Sequence, residues 1–223
     1  MAQVIGDILP LALGIAISPI PIIAAILMLL SPQAKGTSVG FLIGWVLGIV
    51  ITVALFTVLS SIIPQTDSDE PQPIAGVLKI VLGAGLLLMA LRQWHSRPQG
   101  NEEAPLPKWM AAIDSMTATR GLLLGFALAA LNPKNLLMGI AAGVIIGSGA
   151  LDVATIALSI GVFTILAACT VAIPVIAFLV ATDKMTAPLD GLRKWLLHNN
   201  ATVMAVLLLT IGVSLLGKGI GSF

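Results

Sequence analysis

The sequence predicts an all-α integral membrane protein, with six transmembrane helices arranged as two inverted three-helix repeats. Three observations carry that expectation. The chain is 58% hydrophobic and only 9% charged, against about 25% charged residues in an ordinary soluble domain. It divides into six apolar segments, each near the ~20 residues that a bilayer crossing needs. The first and fourth segments also share a proline-centred polar break that the other four lack.

In order, the segments cover approximately 6–30, 39–63, 74–91, 120–146, 153–181 and 199–219. Polar stretches 31–38, 64–73, 92–119, 147–152 and 182–198 separate them. Ten-residue runs of alternating polarity, the mark of a membrane β-barrel, are absent. A secretory signal would need a positive n-region and a short apolar core. Here the first charged side chain is Asp7 and the apolar run continues to Leu30, so this segment reads as a retained membrane helix.

Lysine and arginine in the loops set the orientation. With the N-terminus outside, the inner loops hold Lys35, then Arg92, Arg97, Lys108 and Arg120, then Lys184, Arg193 and Lys194. The outer loops hold Asp67, Asp69, Glu70 and Asp152, with Lys79 and Lys218 near the outer ends of segments three and six. Both termini are therefore expected outside, in a multi-pass protein of the bacterial inner (plasma) membrane. Trp94, Trp109 and Trp195 flank the segments on the inner side, and Trp45 lies early in the second, as expected for indoles at headgroup level.

Residues 1–92 form the first three-helix repeat, 93–118 a cytoplasmic linker and 119–223 the second repeat. Within the linker, Trp109, Ile113 and Met116 share a helical face opposite Lys108 and Asp114. Residues 107–117 are then either an interfacial helix on the inner surface or a solvated loop with a few apolar residues. The same two readings apply to 188–198.

Net charge is +1, which gives no field for nucleic acid. Cys169 is the only cysteine, so there is neither an intramolecular disulfide nor a Cys-x-x-Cys pair, and it reads as a small buried apolar residue. His95 and His198 fall in polar loops. No catalytic triad, phosphate loop or metal-ligand spacing is present. The expectation is a protein that is not an enzyme, with no catalytic or metal-binding residues and no cofactor.

The repeat is read from matches in the same order along both halves. ISPIPIIAAIL at 17–27 matches LNPKNLLMGIA at 131–141; IGWV at 43–46 matches IGVF at 160–163; LGAGLL at 82–87 matches IGVSLL at 211–216. An odd number of helices per half inverts the second relative to the first. Such repeats are a transporter architecture, with the site at mid-membrane where broken helices meet. The substrate-binding or gating candidates are therefore Ser18, Pro19, Pro21, Asn132, Pro133, Lys134 and Asn135.

Proline within a helix lacks N–H and displaces the carbonyl four residues back. Pro19 and Pro21 are expected to free the carbonyls of Ile15 and Ile17, and Pro133 that of Ala129, with Ser18, Asn132 and Asn135 as partners. Lys134 is the most demanding residue. It lies too far from either end of its segment to snorkel, so it faces the bundle interior. It contacts substrate, titrates as a switch, or only ties the two breaks together; an ionisable residue inside a membrane favours a functional role. No acidic residue sits at mid-membrane to pair with it. Gly40, Gly44 and Gly48, and Gly139 and Gly143, have the four-residue spacing that lets helices pack closely.

A Pro-x-Pro break in the first segment paired with Asn-Pro-Lys in the fourth resembles the lysine-exporter (LysE) superfamily. Within it, LPLALGIAISPIPIIAAILMLLSP followed by GFLIGWVLGI resembles the GAP family, the glycopeptidolipid-addressing proteins. The resemblance covers nearly the whole chain and is most specific at 9–48 and 131–139. It implies a six-helix protein of export, and for this branch delivery of complex lipids to the surface of bacteria with lipid-rich envelopes. Amino-acid exporters of the superfamily read Thr-Pro-Gly-Pro and then a polar residue. Ile20 and Ile22 stand at those two positions here, which suits an amphiphile with an apolar body better than a zwitterion. The His and acidic clusters of metal-exporting relatives and the cysteine pair of thiol-reductant relatives are missing.

The expected function is outward transport of an amphiphilic or lipid-like cell-envelope component, or of a small anionic solute, through the breaks. Two alternatives stand beside it. One is an amino-acid or small-metabolite exporter; the other is a non-translocating accessory subunit of an envelope-lipid export machine. Expected partners are membrane lipids, the substrate, that export machinery and a second copy of the chain.

Overall fold

The computed structural model describes residues 1–62, 73–96, 113, 115–149 and 151–222. The elements assigned among them are eight helices. They are α1 (Ala2–Ala16), α2 (Pro19–Leu29), α3 (Ala34–Ser61), α4 (Pro73–His95), α5 (Ala118–Ala130), α6 (Pro133–Gly147), α7 (Val153–Val180) and α8 (Thr182–Ile220). Among the described residues, four helices are long and apolar enough to cross a bilayer. The bent pairs α1–α2 and α5–α6 raise the number to as many as six if each pair is one span.

Both breaks arise the same way. A residue before proline is pushed out of the α region, and Ser18 (φ −75°, ψ 108°) and Asn132 (φ −67°, ψ 120°) take matching extended conformations. Pro19 and Pro133 then open new helices, where a missing N–H costs nothing. The spans bend by 49° at the first break and 63° at the second.

Small residues set the packing. On α3, a Cβ at Gly40 or Gly44 would run into the α5 backbone at Ala118 or Leu122. On α5, Gly121 and Gly125 press in return on the α3 backbone at Thr37 and Phe41. The residue numbers rise together, so α3 and α5 run parallel. Gly139, Gly143 and Gly147 of α6 continue the contact along α3, from Thr52 to Thr57. Helices α4 and α8 pair antiparallel: Gly83 meets Gly212, and Gly219 meets Ile80 and the Gly76 carbonyl.

These directions sort the bundle into two ends. One gathers the start of α1, the C-terminal ends of α3, α6 and α8, and the start of α4. There Asp7 pairs with Lys218, Lys79 donates to Ser222 (3.3 Å) and the Ser60 hydroxyl donates to the Val144 carbonyl (3.3 Å). Met1 and Ser222, the first and last described residues, lie at this end. The other end holds the α2–α3 turn, the end of α4 and the start of α5. Between them, Ile43, Leu47, Ile51 and Leu55 form an exposed stripe on α3 at four-residue spacing. Such apolar stripes are a liability in water and the natural surface for lipid.

Several sequence expectations change. Of the two readings for 188–198 the helix holds, and it extends over the whole polar stretch 182–198, continuous with the last span, whose apolar part is Ala201–Ile220. Asp190 bridges Arg193 and Lys194 one turn on, bonds that favour helix over loop. His198 is thus helical, and His95 closes α4 with Nδ1 against the Leu91 carbonyl (2.8 Å). Trp45 is covered by protein and presents no indole face to headgroups. It is 1% exposed and stacked on Phe41, because Gly125 of α5 leaves room for the α3 ridge. Ile113 is buried in the protein core instead of facing lipid, with Met116 packed on that core. Trp109, Lys108 and Asp114, and the acidic loop Asp67–Glu70, lie outside the described residues.

Candidate functional site

The end of α1 shows what a helix must do to stop inside a bilayer. Its last four carbonyls have no continuing turn to bond, and in lipid a stray carbonyl costs several kcal/mol. All four are satisfied. Leu13 accepts from the Ile17 N–H (2.9 Å) and Ile15 from the Ser18 N–H (3.1 Å). Gly14 accepts from the Lys134 ammonium (2.7 Å), and Ala16 from the Thr170 hydroxyl of α7. The carbonyls needing outside donors are therefore Gly14 and Ala16. Ile15, expected to need one, is served by its own backbone because the chain tightens before Pro19.

Lys134 is 5% exposed. Its Nζ also lies 3.7 Å from the Met204 sulfur. The contact with Gly14 sets the ammonium against the negative end of the α1 dipole, compensating its position in the first turn of α6. The tie between the two breaks is thus physically present: a side chain of the second break holds the backbone of the first. An ammonium has three donors, so one remains beyond these two contacts.

The second break is capped from within. The Asn132 side-chain oxygen accepts from the Lys134 N–H (3.1 Å), leaving its amide NH₂ uncommitted. Asn135 is buried and its amide donates to the Leu128 carbonyl (2.9 Å), which stitches α6 to α5. Its side-chain oxygen is buried without a partner. Pro21 is buried in the core face of α2.

The two breaks meet at a cavity of about 430 Å³. Its polar lining is Ser18, Arg92, Gln93, Asn132 and Lys134. The apolar lining comes from Pro19, Ile20, Met89, Pro133, Met204 and Leu208. Five of the seven sequence candidates line it: Ser18, Pro19, Asn132, Pro133 and Lys134. Pro21 and Asn135 do not. Sequence reasoning missed Arg92, Gln93, Met89, Met204 and Leu208, all on α4 and α8. The hydropathy pattern puts Arg92 in a loop, whereas α4 continues past it to His95.

A helical membrane protein whose two interrupted helices abut a cavity bearing two cations is the class these features define. The family described as Sap, sulfolipid-1-addressing protein, matches residues 8–221, and the chain belongs to that family. It is a family of lipid addressing, as the resemblance to the glycopeptidolipid-addressing proteins implied at that level. No curated protein and no solved structure matches the chain.

Proposed function

We propose that the protein is an inner-membrane transporter that moves an anionic, lipid-like envelope component outward through the cavity at the two breaks. The family's name supports a sulfolipid as cargo, a molecule with an anionic head and an apolar body. A family relation to the LysE exporters fits the same break chemistry.

One observation carries the reading. Pair α1–α2 with α5–α6, α3 with α7, and α4 with α8, as inverted halves require. Then the packed pair α3/α5 maps onto α7/α1, α3/α6 onto α7/α2, α2/α8 onto α6/α4 and α2/α3 onto α6/α7, and each of these is packed. The α4/α8 pair maps onto itself, with Gly83 against Gly212. Four pairings depart from the rule: α1/α6, α7/α8, α5/α6 and α1/α8 are packed, while α2/α5, α3/α4, α1/α2 and α4/α5 are not packed pairs among the described residues. The half-helices meet at the end that carries the termini and stand apart at the other, where Arg92 lines the cavity. Alternating access in inverted-repeat transporters exchanges two such arrangements. With the lysine and arginine count placing the termini outside, this arrangement opens inward.

The test is reconstitution. Purified protein in liposomes should move an anionic amphiphile between leaflets faster than protein-free vesicles do. An accessory subunit would bind without moving it, so binding with no acceleration in sealed liposomes would overturn the transporter reading.

A further inference from the structure

We infer that Arg92 is the entry contact of an oxyanion headgroup path whose inner station is formed by Lys134, Ser18 and Asn132. This deepens the transporter reading and rests on it for the direction of entry.

The charge type follows from the lining. Two cations face the cavity, and among the described residues that line it there is no carboxylate. A zwitterion would leave its own ammonium without a counter-charge there, and a cation would meet repulsion. An oxyanion meets donors throughout. Ser18 is 4% exposed, lines the cavity and makes no side-chain bond to the helix it opens. Its hydroxyl, not spent on the helix cap, is available to a ligand in the cavity. The Asn132 amide NH₂ and the third Lys134 proton are the other donors at this depth. Helices α2 and α6 both begin here, so their positive dipole ends add to the same potential.

The order of stations follows from exposure. Lys134 is enclosed, whereas Arg92 is exposed at the end of α4, where the half-helices stand apart. Arg92 forms no ion pair with a described residue, and its planar fork can grip two oxygens of one head. Met89, one helical turn before Arg92, and Met204 and Leu208 of α8 give the apolar body a wall between the two stations. The shared chemistry is a sulfate- or phosphate-type oxyanion, carried on an apolar tail or free in solution.

Calorimetric titration of the full-length protein in zwitterionic-lipid nanodiscs tests this. The probes are octyl sulfate, octanol, octyltrimethylammonium and inorganic sulfate. Octyl sulfate should bind, octanol about tenfold more weakly for want of charge-assisted hydrogen bonds, and the ammonium probe not at all. Tighter binding of octyl sulfate than of inorganic sulfate assigns the site to the head of an amphiphile, and equal binding to a free oxyanion; both support the oxyanion path. Arg92→Gln should weaken octyl sulfate about three- to tenfold and flatten its salt dependence, as loss of a rim charge does. Arg92→Lys should restore the salt dependence but only part of the affinity. Arg92 is exposed, so its variants remove no buried contact, whereas a Lys134 variant removes the buried bond to Gly14. Unchanged affinity and salt dependence in Arg92→Gln overturns the entry role, and octanol binding as well as octyl sulfate overturns the path. If leaflet transfer persists in either case, the transporter reading stands without it.

Discussion

At the scale of single residues, Lys134 ties the two breaks and, under the proposed function, meets the substrate; one variant separates these roles. Lys134→Met keeps the unbranched body and removes the ammonium. The Gly14 carbonyl then loses its donor, at a cost of about 1–3 kcal/mol, partly offset because no charge has to be desolvated. A protein that folds with a melting temperature lowered by a few degrees and transports nothing is the expected outcome. Near-normal transport by that variant, measured on the same preparation, would reduce Lys134 to a structural tie. A second residue reports through pH. The Thr155 hydroxyl (2.7 Å) and N–H (3.0 Å) hold the Asp152 carboxyl below its ordinary range, at the N-cap of α7. A depressed pKa stabilises the fold above the unfolded value and loses that contribution as pH falls through the folded one. Asn caps nearly as well as Asp. Asp152→Asn should therefore match the wild type at neutral pH and lose less stability below about pH 4, as melting curves across that range will show. What the sequence disclosed at this scale was the polar letters. Lys134, Ser18 and Asn132 stood out against an apolar background, and all three line the cavity. Gly14 and Ala16 did not, because the group they contribute is a carbonyl that every residue possesses.

At the scale of helices, packing was legible wherever it depended on small residues at four-residue spacing. Gly40, Gly44 and Gly48 face α5, and Gly139 and Gly143 face α3, as that spacing implies. A Cβ at Gly44 would strike the Leu122 carbonyl, which belongs to backbone and cannot swing aside. Gly44→Ala should destabilise by about 1–3 kcal/mol as overpacking does. Gly161, also within a helix, has nothing within 4 Å of its would-be Cβ. Gly161→Ala should be neutral or stabilise by up to about 1 kcal/mol through helix propensity alone. Thermal melts of both variants in one detergent check the contrast; equal effects would mean that α3 and α5 do not pack in this register. Element ends were less legible. Hydropathy ends the third segment at 91, yet the helix runs on to His95 and carries Arg92 to the cavity. At 188–198 composition left helix and loop both open, because it reports solvent and not backbone geometry; the helix is held by Asp190.

For the whole molecule, the membrane character and the two breaks could be read from the chain, and the termini do lie at one end of the bundle. Which halves of the broken helices touch could not be read. That depends on the tilt of rigid pieces about Ser18 and Asn132, and both arrangements have the same sequence. The long α8 illustrates the same limit. At 39 residues it spans roughly 58 Å at 1.5 Å per residue, well beyond the ~30 Å of hydrocarbon. Its first half therefore stands clear of the apolar layer. There Leu189 and Leu196 are buried in the core, and Trp195 is exposed.

The satisfied end of α1 also bears on how the protein is made. Gly14 finds its donor 120 positions later in the chain, and Ala16 waits 154. During synthesis the first helix therefore enters the bilayer with two carbonyls that nothing yet made can satisfy. The nascent first half is held in a costly state until Lys134 and then Thr170 emerge. Residues 1–92 expressed alone should be rapidly degraded, and co-expression of 113–223 should rescue them by assembly in the membrane. Rescue should fail when the second fragment carries both Lys134→Met and Thr170→Val. Pulse-chase lifetimes of the first fragment measure this directly, and a fragment that is long-lived on its own would show that lipid or water satisfies the broken helix without its other half.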